Sequence, residues 1–121
     1  MMSREGDDPE LTEEAQRDLT DLGRVTRKAV GTLLRRLARG EAEARPRDTW
    51  LPDATVKEVE LIGGLIVFFR PLRPRELLAR DRTEPGLLII RILTERDVVP
   101  WRERVARETA ERAEDDREAG L

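Results

Sequence analysis

The chain has 121 residues, of which 40 % are charged and 3 % aromatic, a net charge of −3, and neither Cys nor His. That length supports one small domain whose core must be filled by aliphatic side chains. Without Cys or His, the sequence excludes disulfides, thiol nucleophiles, zinc sites of the usual kind and imidazole-based catalysis, and a metal would have to be held by carboxylates alone.

The near-neutral total hides a segregation along the chain. Arg4–Asp21 carries eight acidic residues against two basic, Arg24–Arg39 carries six basic and none acidic, and Arg70–Arg82 carries five Arg against Glu76 and Asp81. A mildly acidic protein can therefore still present a basic face to a polyanion. No run is apolar enough to span a membrane and no apolar leader opens the chain, so the expectation is a cytoplasmic protein with no membrane partner.

Residues 1–10 are polar, acidic and without periodicity, and read as a disordered acidic arm. Leu11, Ala15, Leu19 and Leu22 then recur at helical spacing behind Thr12 as N-cap, with Glu13 and Glu14 suited to the positive end of the helix. Gly23 interrupts, and a second stripe runs from Val25 through Ala29, Val30, Leu33, Leu34 and Leu37 to a stop at Gly40. The two predict a helix hairpin. Arg27, Lys28, Arg35, Arg36 and Arg39 fall mostly off the apolar stripe and read either as a solvated face paired with the acidic first helix or tail, or as a nucleic-acid surface. In the loop of residues 41–53, Trp50 and Leu51 are expected to dock onto the domain.

The core strands come next. Leu65–Phe69 and Leu87–Ile90 are the only continuous apolar runs, short and partly β-branched or aromatic, the pattern of strands buried on both faces. Gly63–Gly64 supplies the positive-φ residues of a tight turn, so strands at about 55–62 and 65–70 should form an antiparallel hairpin. Leu72–Gly86 is a long charged connection in which Leu77–Leu78 suggest a brief helical turn. Arg91 falls on the same strand face as Ile89 and Leu93, where a charge needs a partner. Pro100 predicts the start of a last helix, held by Trp101 and Val105 over its first turn, with the rest projecting.

The fold class expected is therefore α+β: an N-terminal helix hairpin packed on a small antiparallel β-sheet, followed by a C-terminal helix. Particular words in that order resemble the RelE/ParE superfamily of bacterial toxins. Leu11–Leu19 is similar to the family's opening helix and Arg39–Gly40–Glu41 to the end of its second. Leu65–Pro71 resembles its central strand, an aromatic pair followed by Arg, and Ile89–Val98 resembles its last strand and basic turn, closest to the ParE branch. The resemblance spans residues 11–100 and leaves 101–121 as a charged helix or tail. The chain departs from the family in having a polar arm where an opening strand is usual, Thr94 in place of a His, and no Tyr.

The resemblance implies a toxin of a type II toxin–antitoxin system, ParE-like, that binds DNA gyrase and is neutralised by a cognate antitoxin lying across the helix groove or an open sheet edge. It requires no cofactor and no metal, and allows self-association. The alternatives are a RelE-like ribosome-dependent mRNA endoribonuclease and a catalytically inactive interaction module. For a ribonuclease, the positions matching the family's catalytic set are Lys57, Arg70, Arg91 and Arg96, with Glu58 or Glu95 as the nearest carboxylate base. Candidates for contact with a target or partner are Arg27, Arg35, Arg36, Arg70, Arg91, Arg96 and Trp101.

Overall fold

The computed structural model describes residues 8–41 and 45–120. Their elements are β1 (Glu10–Leu11), α1 (Glu13–Thr20), α2 (Arg24–Ala38), β2 (Arg47–Asp48), β3 (Lys57–Glu60), β4 (Leu65–Pro71), α3 (Pro74–Ala79), β5 (Leu87–Thr94) and α4 (Glu95–Ala119). The strands form one sheet in the order β1-β5-β4-β3-β2, antiparallel throughout except that β1 runs parallel to β5. The chain is thus a mixed α+β domain, and its sheet is wider than the sequence suggested because β1 and β2 contribute two residues each.

Helices cover both faces of the sheet. On one, Ala15 of α1 and Val30, Leu34 and Leu37 of α2 pack on Val59, Val67, Phe69, Ile89 and Ile92. On the other, Val98 and Trp101 of α4 pack on Val56, Phe68 and Leu93, with Leu51, Ile66, Ile90 and Val105 partly buried around them. Neighbouring strand residues point to opposite faces, so Val67 and Phe68 serve different cores and yet are both 0 % exposed. This is the two-sided burial that the unbroken apolar run required. Helix α1 lies mainly along β5 and touches α2 much less, so the helix hairpin is looser than the two sequence stripes implied.

The hairpin β3–β4 is present, in a register that sets Val59 opposite Val67 and Glu60 opposite Ile66. Its connection is longer than a two-residue turn. Ile62–Gly64 form a 3₁₀ turn closed by the Leu61 N–H donating to the Leu65 carbonyl at 2.7 Å, and Gly63 and Gly64 both adopt φ near +77°. Positive φ is nearly free only for glycine, which is why the pair sits there.

Five other expectations are corrected. The part of the acidic arm at residues 1–7 lies outside the described residues, but Glu10 and Leu11 are strand β1, paired with Leu88 and Ile89, so the arm's end is ordered and Leu11 is not helical. In α2, Val25 and Ala29 face outward, Val25 being 84 % exposed, because the sheet-facing stripe is set by Val30, Leu34 and Leu37. Leu51 packs in the second core as expected, whereas Trp50 is 88 % exposed. Helix α4 begins at Glu95 and carries Pro100 inside it. At the sixth helical position Pro forfeits only the bond to the Arg96 carbonyl, which lies in the first, exposed turn.

The fifth concerns Arg91. A bulge between Phe68 and Phe69 pairs Phe68 with Arg91 and Phe69 with Ile89, leaving Ile90 as an extra residue in β5. Strict alternation therefore fails: Ile89 and Leu93 belong to different cores, and Arg91 is turned toward the β5 edge and α1. That edge is closed. Thr12 donates its N–H to the Ile89 carbonyl at 3.0 Å and its hydroxyl to the Ile90 carbonyl at 2.8 Å, and the Ile92 N–H donates to Asp18 Oδ2 at 3.0 Å. The same Thr12 hydroxyl accepts the Ala15 N–H at 3.1 Å, so the N-cap inferred from sequence also fixes the strand edge.

Candidate functional site

Strand β5 passes into α4 without a connecting loop. Thr94 ends the strand, occupies the N-cap position, and donates its hydroxyl to Asp97 Oδ2 at 3.0 Å. This corner, together with the C-terminal end of α1, encloses a cleft of about 480 Å³ lined by Asp18, Asp21, Asp97, Arg91, Trp101, Arg104 and Arg107 among others. Its floor is a fixed ion pair. Arg91 Nε donates to Asp18 Oδ2 at 2.7 Å and Nη2 to Oδ1 at 3.0 Å, with Nη1 reaching Glu14 Oε2 at 3.3 Å. The guanidinium also stands 5.9 Å from the centre of the Trp101 ring. Hydrogen bonding to Asp18 raises the Arg91 pKa above its already high value, so this group is a permanent cation and never a proton acceptor. The rim is looser: Arg104 approaches Glu14 and Glu108 only at 3.8 Å, and Arg107 is exposed. The cleft can thus take an acidic group at its rim, whereas the chemistry at its floor is spent on structure.

The other positions inferred from sequence do not converge on it. Arg70 makes a bidentate pair with Glu76, at 2.6 and 2.9 Å, and Glu76 also accepts the Arg73 N–H at 2.8 Å. Lys57 is bonded to Asp48 across the β2–β3 edge and shares the sheet face of Val59 and Phe69, opposite to the face of Phe68. Glu58, considered as a base, is 6 % exposed and accepts from Arg102 at 2.5 Å and Arg47 at 3.4 Å, which makes it the tie between β3 and α4. Glu95 is exposed at the start of α4. Arg96 has a side chain 90 % exposed, with Asp97 at 3.9 Å. Trp101, placed among the surface contacts from sequence, is instead 6 % exposed and packs on Phe68 with ring centres 4.6 Å apart. Arg27, Arg35 and Arg36 are exposed on α2, and the carboxylates of α1 that were expected to pair with that helix bond instead to Arg17, Arg91 and Arg104. Asp18, Glu14 and Arg104 escaped the sequence reading because Asp18 and Glu14 meet Arg91 across more than seventy residues of chain, Arg104 meets Glu14 only once α4 is folded against α1, and the turn of Arg91 toward α1 depends on a bulge.

The Arg70 and Arg73 hydrogen bonds hold the Glu76 carboxyl at about 2, below the usual 4.5. A depressed carboxyl stabilises the fold above its unfolded pKa, and that contribution fades as pH falls through the folded one. Wild-type protein should therefore lose stability between about pH 4.5 and 2 by an amount that Glu76→Gln removes, on the order of 1–2 kcal/mol after solvent screening. Urea melts of both proteins at pH 7 and pH 3 would show it; parallel losses in the two would refute the assignment.

No protein-family model, curated protein or solved structure matches this chain.

Proposed function

We propose that the chain is the toxin of a type II toxin–antitoxin pair, of the ParE kind, which arrests growth by binding DNA gyrase and is neutralised by a cognate antitoxin. The observation that carries this reading is the order strand, two helices, then antiparallel strands, with β1 present where the resembling family has its opening strand. It is joined to the wording of β4 and of the β5–α4 corner. A ribonuclease of the RelE kind is supported less, since it needs a proton acceptor among clustered cations. Arg70 and Arg91 are committed to Glu76 and Asp18, and Lys57 lies on the other face of the sheet from Phe68.

The target would meet the exposed cations at the β5–α4 corner, Arg96 and Arg107. The antitoxin would add to β2, a two-residue edge exposed at both positions. Induced expression of the chain alone in a bacterial host should arrest growth with altered DNA supercoiling and intact mRNA. Arg96→Glu/Arg107→Glu, on side chains outside both cores, should weaken the arrest at least about tenfold, a loss of roughly 1.4 kcal/mol of binding, without changing the circular dichroism spectrum. Arrest with cleaved transcripts would instead support the ribonuclease, and folded protein without arrest the interaction module.

A further inference from the structure

Two exposed helical surfaces of opposite charge remain after the cores are accounted for. The outer side of α2 holds a shallow groove of about 430 Å³ formed by Arg24, Val25, Lys28, Ala29 and Thr32. Val25, Ala29 and Thr32 stand at i, i+4 and i+7, one helical ridge, with exposed Arg35 and Arg36 continuing the basic surface. The other surface is the last part of α4, where every residue from Ala106 to Ala119 is exposed. Ala106, Ala110 and Ala113 form a matching ridge, and Glu111, Glu114 and Glu118 flank it. Residues 108–118 carry six acidic and two basic side chains.

Both helices place charge where their own dipoles disfavour it. Helix α2 opens on Arg24 and Arg27 with no acidic residue in its first turn and no side-chain cap, and α4 closes on Asp115, Asp116 and Glu118 around a single cation, Arg117. Each sign therefore costs its own helix stability and complements the other helix. Within one chain the two cannot satisfy each other, because α2 and α4 pack on opposite faces of the sheet.

We propose that a second copy of this chain occupies the α2 groove, laying the acidic end of its α4 antiparallel along the basic ridge. In that direction the negative end of α4 meets the positive end of α2, and two rows of small residues let the helices approach closely. The contact is one helix pair wide, so association is weak and falls with salt. The inference does not depend on the toxin reading.

Sedimentation velocity of the purified full chain tests it. At low salt the wild type should associate as concentration rises, and at about 0.5 M salt, where screening acts over about 4 Å, it should be monomeric. Arg24→Glu/Lys28→Glu and Glu111→Lys/Glu114→Lys should each be monomeric at low salt, since like charges then face each other. Mixing the two variants restores opposite charges and should restore association. All four substituted positions are exposed, and Arg24→Glu puts an acidic residue in the first turn of α2 where the dipole favours it, so folding is retained, which circular dichroism checks. A monomeric wild type at low salt would leave the groove to some other chain and overturn the proposal. So would association that ignores salt, or a mixture of folded variants that stays monomeric.

Discussion

Replacing Trp101 with alanine is expected to cost about 3–5 kcal/mol and to remove much of the helical signal along with it. The ring is almost fully buried against Phe68, and the Arg91 guanidinium stands 5.9 Å from its centre. Besides it, among the described residues, α4 is tied to the sheet by Val98, by the partly buried Val105, and by the Arg102–Glu58 pair. From Ala106 to Ala119 every residue is exposed, and an isolated helix of this length is marginal in water. Losing the ring should therefore release α4 as a unit, leaving the first core and its helices standing. Trp101→Phe, which keeps an aromatic group against Phe68, should cost less than half as much. A loss below about 1 kcal/mol for the alanine variant would mean that α4 is held by other contacts.

The second large effect lies at the floor of the cleft. Arg91→Ala leaves the Asp18 carboxylate without its bidentate partner at a site where both side chains are mostly covered, and a loss of about 3 kcal/mol is expected. Asp18→Ala should cost at least as much, because Asp18 also accepts the Ile92 N–H. The double variant should lose well under the sum, with a coupling of at least about 1.5 kcal/mol. Hydrogen exchange separates the two roles of the carboxylate. The Ile92 amide should exchange faster in Asp18→Ala and stay protected in Arg91→Ala. Simple additivity in the cycle would show that the pair contributes no specific interaction.

What the sequence made legible is what local chemistry decides. Thr12 is an N-cap because its hydroxyl can reach the Ala15 amide three residues on, and Gly63–Gly64 make a turn because positive φ is open to them. Leu65–Phe69 had to be covered on both sides because no polar residue interrupts it. The exposed end of α4 was visible too, as a helix with almost no apolar support. Strand β1 was not, since two residues in a polar context become a strand only through pairing with Leu88 and Ile89 far along the chain. The orientation of Val25 and Ala29 was missed because a stripe of six apolar positions is wider than the contact that the sheet offers. Arg91 announced that it needed a partner, but a single extra residue, Ile90, decides that it turns to α1 and finds Asp18 there. Of the cations proposed for catalysis, the sequence located Lys57, Arg70 and Arg91 on their strands, put Arg96 in a turn that is the start of α4, and could not say that Glu76, Asp48 and Asp18 would claim three of them.

The direct passage from β5 into α4 has a mechanical consequence. Thr94 is both the last strand residue and the helix cap, so no loop lies between them to act as a pivot. Helix α4 is then a lever clamped at its base: swinging it would require either dragging β5 against its neighbours or opening the helix itself. The weakest place for opening is the turn between Arg96 and Pro100, where one backbone bond is already missing. Whatever part of a pull on the tail survives as far as that turn passes through Thr94 directly into β5, with no loop between to absorb it.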